Sequence, residues 1–328
     1  MLSEPCRTIA DAFQIECRIG GRTSSAVYGA TSRTTGERFA LRCWLAQDAQ
    51  DAAAAAHASL EFMERARAAK LFEHRHIVEV FAVSELEGTY FAVTEWLEGT
   101  TLERFLHRLG TLSLPQALEL LLPCMDAVAA AHEAGIVHGD LRPANIFVCR
   151  ETTFEAECAR VQNFEFGSFA TQQADGADVF WRVPGRNHRD TLQYVPPEIL
   201  QGQALDARSD VYAFGVLLYR ALSGVLPFSA SDSSDLALEI VRGAQIPFTE
   251  RASELAPRVA NVVDRAMATN PVHRYANMRE MALALLYAVT RPPQPRPLPV
   301  ATPRKWTREY ACDRIATTRS RFRVRSHA

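Results

Sequence analysis

The sequence has almost no lysine. Of its 36 basic residues only Lys70 and Lys305 are lysines, and all the others are arginines. We interpret most of the surface arginines of this chain as the product of a coding sequence rich in G and C. The bias nevertheless has a chemical consequence. No lysine is left for a catalytic role unless Lys70 supplies it.

Paired cysteine motifs are also missing. No C-x-x-C pair occurs among the seven scattered cysteines, which are Cys6, Cys17, Cys43, Cys124, Cys149, Cys158 and Cys312. An odd, dispersed set predicts neither a disulfide framework nor a zinc site, and it indicates a reducing compartment.

Targeting and membrane signals are absent as well. Residues 1–20 show no basic start followed by an apolar run, so no signal peptide is predicted. The most apolar stretch, Val211 to Leu226, is short and interrupted by Arg220 and Gly224, which predicts a buried core helix rather than a membrane span. We therefore expect a cytoplasmic protein.

What is present is an ordinary globular composition. The 328 residues are 48% apolar and 23% charged, enough for a well-filled core. The net charge of −2 is small, so the overall charge does not predict a strongly charged partner such as nucleic acid.

The order of predicted elements divides the chain into two lobes. Three strands are predicted between residues 13 and 44, with a turn at Gly20-Gly21, and an Ala-rich helix over 48–72. Strands over 77–83 and 90–96 follow, joined by a turn at 86–89. Helical patterns then cover Thr101–Leu109, Leu114–Ala134, Ser209–Leu222, Ser234–Arg242, Arg258–Ala268 and Met278–Val289. This order predicts an α+β fold with a small antiparallel sheet lobe at 10–94, a hinge at 95–99 and a larger, mainly helical lobe at 100–290.

Composition changes after the helical lobe. Residues 291–328 are first rich in proline and then in arginine, which predicts an extended segment followed by a poorly ordered basic tail. Binding of this tail to nucleic acid is a third and least favoured function, because its basic residues lack interleaved aromatics beyond Trp306, Tyr310 and Phe322.

Two short motifs carry the chemistry. The run His138-Gly139-Asp140-Leu141-Arg142-Pro143-Ala144-Asn145 precedes Glu165-Phe166-Gly167, which begins 20 residues after Asn145. They resemble the catalytic loop H-R-D-L-K-P-x-N and the metal-binding triplet D-F-G of Ser/Thr protein kinases. The resemblance covers residues 10–290 and implies the bilobal protein kinase fold.

The resemblance assigns roles within the first motif. It implies that Asp140 orients the acceptor hydroxyl and takes its proton, that Arg142 stands where a lysine touches the transferring phosphate, and that Asn145 holds a metal ion. Gly139 replaces the arginine that pairs with a phosphorylated activation loop, so we expect no activation by that route.

Downstream motifs extend the resemblance. Tyr194-Val195-Pro196-Pro197-Glu198 resembles the end of the activation segment, and Arg208 to Gly215 resembles the helix whose Asp, here Asp210, anchors the catalytic loop. Arg274 resembles the arginine that pairs with Glu198. The resemblance also implies that His138 packs under Phe166 and that Thr191 contacts Asp140.

A nucleotide site is implied at the small lobe and the hinge. Ala40 and Phe147 are expected to sandwich an adenine, and Thr94 takes the gatekeeper position. The full set of residues implied to bind the nucleotide is Ile19, Gly20, Arg22, Val27, Ala40, Arg42, Thr94, Glu95, Leu97 and Phe147. Asn145 and Glu165 are the implied metal ligands, and ATP and Mg²⁺ the implied cofactors of a functional site.

Departures from the pattern fall on the phosphate-binding positions. Arg22 and Ser25 replace glycines of the phosphate loop, and Arg42 replaces the ATP-binding lysine; its guanidinium is larger and planar. The helix glutamate that should pair with that lysine falls at Arg65, with Glu64 and Glu61 nearby. Glu165 replaces an aspartate, which moves the carboxylate by about 1–1.5 Å at a metal that tolerates little error.

Two hypotheses remain open. The first is a pseudokinase of the Ser/Thr type that acts through a protein partner, with nucleotide as a structural ligand. The second is an active Ser/Thr kinase in which Asp140 is the base, Arg42 or Arg22 covers the phosphates and Glu165 holds the metal, with a protein as its substrate. The sequence leaves the enzymatic activity and the oligomeric state undecided.

Overall fold

A computed structural model describes residues 12–21, 25–45, 70, 72–86, 89–150, 157–164, 189–252, 255 and 257–290. The chain forms two compact units, Met1–Arg291 and Pro292–Ala328. The second unit lies outside the described residues, so the predictions made for the tail stay predictions. The predicted helix over 48–72 also falls almost wholly outside them.

The small lobe is one antiparallel sheet of five strands. Its spatial order is β1-β2-β3-β5-β4, formed by β1 (Phe13–Gly21), β2 (Ser25–Ser32), β3 (Arg38–Leu45), β4 (Val80–Leu86) and β5 (Thr89–Glu95). A buried cluster of Ala30, Leu41 and Val93 holds the three central strands together.

Two of the predicted boundaries in this lobe are wrong. Gly20 and Gly21 do not form a turn; they continue β1 and pair with Val27 and Ala26 of β2. Ile77 precedes β4 and makes an isolated parallel bridge to Val161 instead. In both places backbone pairing with a neighbouring segment overrides the local pattern.

A second, three-stranded sheet lies at the start of the helical lobe. It is formed by β6 (Gly99–Thr101), β7 (Ile146–Arg150) and β8 (Glu157–Val161), in that spatial order and antiparallel throughout. Since β7 follows the predicted catalytic loop directly, this sheet fixes where the loop ends.

The helical lobe surrounds a large apolar core. Its helices are α1 (Leu102–Leu109), α2 (Leu114–Glu133), α3 (Arg189–Leu192), α4 (Pro197–Leu200), α5 (Ala207–Ser223), α6 (Ser233–Arg242), α7 (Phe248–Arg251), α8 (Pro257–Ala266) and α9 (Met278–Thr290), with 3-10 turns at Pro143–Asn145 and Pro271–His273. Side-chain caps from Thr101, Ser113 and Asp206 start α1, α2 and α5. The predicted two-lobed α+β architecture is confirmed.

The long helix α2 is a core element. By length and composition it is the one helix among the described residues that reaches the threshold for a membrane span, and half of the relevant window is buried inside the protein. Its inward face includes Leu121, Met125 and Val128, which belong to the main core. That packing is typical of the central helix of a globular lobe.

The cysteines do not all behave as predicted. Cys149 and Cys158 lie opposite each other in β7 and β8 and are joined by a disulfide bond. The expectation of unpaired cysteines is wrong for this pair, because hairpin register brings together residues whose spacing along the chain carries no motif. Cys124, in contrast, is an ordinary core residue, and its burial raises the pKa of the thiol to about 12.

Candidate functional site

One buried carboxylate holds the start of the predicted catalytic loop. Asp210, in the first turn of α5, is 1% exposed and accepts hydrogen bonds from the backbone N–H groups of His138 and Gly139, each at 2.8 Å. His132 Nε2 donates to the same carboxylate at 2.9 Å. The anchoring role predicted for Asp210 is confirmed.

The backbone conformation of the loop explains the glycine in it. Gly139 has φ +75°, which lies in the left-handed region. A side chain in that region costs about 1 kcal/mol. Gly139 therefore suits the conformation in which two successive N–H groups point at Asp210.

The carboxylate of Asp140 is already engaged. Its two oxygens accept from Arg142 Nε at 3.2 and 3.3 Å, and one of them also accepts from Asn145 Nδ2 at 2.9 Å. Asn145 Nδ2 also donates to the Asp140 carbonyl oxygen at 2.7 Å. The structure thus brings together the three residues predicted to be catalytic, Asp140, Arg142 and Asn145.

The fully buried ring of His138 connects this loop to the end of β8. Its Nδ1 accepts from the Asp140 N–H at 3.1 Å, so the proton is assigned to Nε2, which donates to the Gln162 carbonyl oxygen at 3.0 Å. The ring packs against Phe164, with centroids 4.6 Å apart. Phe166, the predicted packing partner, lies outside the described residues.

A second amide reaches the loop from the segment after β8. Asn163 Nδ2 donates to Asn145 Oδ1 at 2.5 Å. Because Asn145 Nδ2 is committed to Asp140, the orientation of the Asn145 amide is fixed and its oxygen must face Asn163. The Oδ1 atom of Asn163 is buried and has no hydrogen-bond partner among the described residues.

Arg42 reaches the catalytic loop from the small lobe, through Gln162. It lies in β3, and its guanidinium donates to Gln162 Oε1 at 2.5 Å. Gln162 Nε2 in turn donates to the Ala144 carbonyl oxygen at 2.9 Å, inside the 3-10 turn of the catalytic loop. A chain of polar contacts therefore connects the position of the ATP-binding lysine to the loop.

Strand register places several of the predicted nucleotide-binding residues together. Val27 pairs with Gly20 on one side and with Arg42 on the other. Ala40 pairs with Thr94, whose buried hydroxyl donates to the Ala40 carbonyl oxygen at 3.3 Å. The hydroxyl of Thr94 therefore donates its hydrogen bond to a neighbouring strand of the sheet.

The remaining residues predicted to bind nucleotide lie in β1, in the predicted hinge and in the second sheet. Ile19 is exposed near the end of β1, Leu97 is half-buried in the hinge, and Phe147 is half-buried in β7 between Thr101 and Arg160. Contacts of these side chains with a nucleotide stay predictions.

The hinge is fastened to β8 by an ion pair. Both oxygens of Glu95 contact Arg160 Nη1, at 2.6 and 2.7 Å, and one accepts from the Glu79 N–H at 2.9 Å. Beyond it, Gly99 has φ +153°, and a Cβ there would overlap the carbonyl oxygen of Val148. The side chain of Glu95 therefore serves the structure of the hinge.

A buried ion pair confirms the pairing predicted for the helical lobe. Arg274 Nη1 and Nη2 each lie 2.7 Å from an oxygen of Glu198, which also accepts from Ser209 Oγ at 2.9 Å. The guanidinium lies over the ring of Tyr212, 4.8 Å from its centroid, and burial raises the pKa of that phenol. Both charges are thus removed from water but satisfied.

Several predicted residues cannot be placed. Arg22, Glu165, Arg65, Glu64 and Glu61 lie outside the described residues. Thr191 is described and buried. Its predicted contact with Asp140 stays a prediction.

Sequence reasoning missed the residues on the far side of the loop, which are Arg160, Gln162, Asn163 and Phe164. No pattern along the chain marked them, because their contacts with the loop depend on where β8 ends. The sequence Glu165-Phe166-Gly167 resembles the kinase triplet D-F-G more closely, so the prediction was assigned to those residues.

Comparison with known proteins agrees with this geometry. The family model of the protein kinase domain matches residues 13–285. The serine/threonine-protein kinase PknB of Mycolicibacterium smegmatis is 30% identical over 231 residues, which are 69% of this chain and 35% of that protein. A probable serine/threonine-protein kinase of Corynebacterium efficiens, CE0033, is 30% identical over 285 residues, 84% of this chain and 41% of its own length. The chain thus spans well under half the length of these curated relatives.

Solved structures share the fold. The kinase domain of PknI from Mycobacterium tuberculosis has a TM-score of 0.64 at 21% identity and covers 84% of this chain and 96% of its own. Residues 1–466 of Rad53, in complex with AMP-PNP, have a TM-score of 0.66 at 21% identity, over 84% of this chain and 66% of that one.

Proposed function

The chain belongs to the protein kinase domain family and resembles its eukaryotic-like Ser/Thr members, and we propose that it is a pseudokinase. In this proposal it acts by binding a protein partner, uses nucleotide as a structural ligand and transfers phosphoryl groups weakly or not at all.

The observation that carries the proposal is the bonding of Arg42. A compact ammonium at this position would neutralise phosphate as a point charge, whereas the guanidinium is wider and planar. It donates to Gln162 at 2.5 Å. Phosphoryl transfer depends on positioning, and a displacement of about 1 Å can cost about 100-fold in rate.

The state of Asp140 supports the same proposal. A general base must come within about 2.6–3.2 Å of the hydroxyl it orients. Both Asp140 oxygens already accept from Arg142 Nε. A substrate hydroxyl would have to share the carboxylate with that guanidinium.

A second candidate is the active Ser/Thr kinase, and one observation favours it. Asn145 Nδ2 holds Asp140 Oδ2 at 2.9 Å, so the two loop residues that match the family are assembled. In this alternative Asp140 is the base, Arg42 or Arg22 contacts the phosphates and Glu165 serves as metal ligand, with ATP and Mg²⁺ as cofactors.

Nucleotide binding is proposed on the fold and on one neighbour. The Rad53 structure contains AMP-PNP, and the equivalent cleft here would be formed by Val27, Ala40 and Phe147. A nucleotide ligand places the domain where ATP is available, so we propose a cytoplasmic location. The disulfide bond between Cys149 and Cys158 counts against this location, because cytosolic thiols are normally kept reduced.

Transfer from radiolabelled ATP to the protein itself and to a basic protein substrate separates the two candidates. In a pseudokinase the unaltered protein gives no more signal than Asp140→Asn. An active kinase gives a signal that Asp140→Asn abolishes, while the exposed control Asp126→Asn retains it. A protein partner of the pseudokinase should remain bound to the Asp140→Asn variant.

A further inference from the structure

The segment after β8 is aimed at the catalytic loop by its backbone. The Gln162 N–H donates to the Asn145 carbonyl oxygen at 2.9 Å, which extends the β7–β8 ladder by one contact. The next residue, Asn163, has φ +74°, the left-handed conformation that asparagine and aspartate tolerate best among residues with a side chain. This turn carries the Asn163 amide onto Asn145.

The aromatic ring that follows is fixed at the same point. Phe164 packs on His138 with centroids 4.6 Å apart, while His138 Nε2 binds the carbonyl oxygen of Gln162. A polar residue against Asn145, followed at once by a phenylalanine against the loop histidine, is the arrangement that was expected for residues 165 and 166. The structure shows it two residues earlier.

The described side chains at this point do not suit a divalent cation. Mg²⁺ takes about six oxygen ligands, with at least one carboxylate among the protein's own. The only oxygen of the Asn145 amide accepts from Asn163, and both oxygens of Asp140 accept from Arg142. Among the described side chains of this site, the one oxygen without a hydrogen-bond partner is Asn163 Oδ1, which belongs to a neutral amide.

The rest of the described chain offers no substitute. No group of three or more His, Cys, Asp or Glu side chains within the described ranges is arranged to hold a metal ion. Two guanidinium groups do lie at the site, Arg42 bonded to Gln162 and Arg142 bonded to Asp140. Fixed positive charge is therefore present beside the residues that would face a metal ion, Asp140 and Asn163.

We infer that Asn163 and Phe164, not Glu165 and Phe166, take the first two positions of the metal-binding triplet, and that the Asn163 amide makes nucleotide binding independent of Mg²⁺. The inference rests on the proposed nucleotide-binding function. It assigns the loss of the metal to one atom, Asn163 Nδ2, which stands where an aspartate would have a carboxylate oxygen. The variant Asn163→Asp replaces this neutral nitrogen with a charged oxygen and changes neither the size of the side chain nor the permitted φ.

Calorimetric titration with ATP, in Mg²⁺ and in EDTA, tests this on three proteins. The unaltered protein should bind ATP with the same affinity in both buffers. Asn163→Asp should bind at least about tenfold more tightly in Mg²⁺ than in EDTA, the low end of what even a partner of a metal ligand contributes to metal affinity. Glu165→Gln, the matched change two residues on, should behave like the unaltered protein.

Two results would overturn the inference. One is Mg²⁺-dependent binding by the unaltered protein that Glu165→Gln removes, since this would make Glu165 the ligand. The other is an Asn163→Asp variant that binds ATP but gains no Mg²⁺ dependence.

Failure of ATP to bind in either buffer would refute the nucleotide role without deciding the metal site. A titration with Mn²⁺ alone, monitored by electron paramagnetic resonance, then tests whether Asn163 determines metal binding. Binding gained only by Asn163→Asp supports the inference. Binding by the unaltered protein, or by neither protein, contradicts it.

Discussion

The two sides of the catalytic loop differ in how closely they follow the protein kinase pattern. On the side of the helical lobe, Asp210 receives the loop and Glu198 pairs with Arg274, as the resemblance implied. On the side of the predicted nucleotide site, Arg42 and Asn163 take positions where a lysine and a carboxylate were expected. The catalytic loop therefore lies between two regions. The buried framework of Asp210, Glu198 and Arg274 matches the kinase pattern, and the region of Arg42 and Asn163 departs from it.

The difference shows that holding the loop and handling phosphate are separable tasks. The framework is buried, and each of its charges has a fixed partner, so replacing one residue leaves another uncompensated. On the other side, Arg42, Gln162 and Asn163 are partly exposed polar residues whose described hydrogen bonds involve no buried ion pair. A chain can therefore keep the fold of a kinase while its phosphate ligands change.

The most severe way to break the framework is to remove Arg274. Arg274→Ala leaves the Glu198 carboxylate buried without its partner, and we expect a loss of about 3–5 kcal/mol in the free energy of unfolding. Urea denaturation measures the change. The control is Arg279→Ala, whose ion pair with Glu133 is about half exposed and should cost less than about 1 kcal/mol.

Should Arg274→Ala fail to fold, the double change Glu198→Leu with Arg274→Met removes both charges together. It should be more stable than the single variant, because no buried charge is left unpaired. Equal losses in Arg274→Ala and Arg279→Ala would contradict the central importance of the buried pair.

A smaller effect is expected at the anchor of the loop. Asp210→Asn keeps the shape but leaves one oxygen for the three donors from His132, His138 and Gly139, and we expect a loss of about 2 kcal/mol. Hydrogen exchange should show faster exchange of the His138 and Gly139 amides. Unchanged protection of these two amides would mean that the loop is held by other contacts.

The smallest effect is expected within the loop. Gly139→Ala forces a side chain into the left-handed region and should cost about 1 kcal/mol. Gly139→Asn should cost less, since asparagine tolerates this region better. Thermal unfolding of the two variants measures the difference, and a Gly139→Asn variant less stable than Gly139→Ala would refute the backbone explanation.

Local pattern predicted the architecture well and the site only in part. Helices such as α2 and α5 were predictable because their apolar residues recur with helical spacing and Ser113 and Asp206 cap them. The pairing of Glu198 with Arg274 followed from motif order. The continuation of β1 through Gly20 and Gly21 was not predictable, because pairing with β2 determines it.

The misplaced triplet has a similar physical cause. Which residue faces Asn145 depends on where β8 ends and on the φ of Asn163, and neither is visible as a pattern along the chain. The Cys149–Cys158 bond likewise depends on the register of β7 and β8. Contacts that arise across a hairpin were the ones that sequence reasoning missed.

The measurement that tests the account most directly is a calorimetric ATP titration of the unaltered protein, with and without Mg²⁺. The account predicts binding with an affinity that Mg²⁺ does not change, because the amides of Asn145 and Asn163 replace a metal site and Arg42 supplies fixed charge. Binding that tightens about tenfold or more when Mg²⁺ is added would contradict it, and the active-kinase alternative would then be favoured.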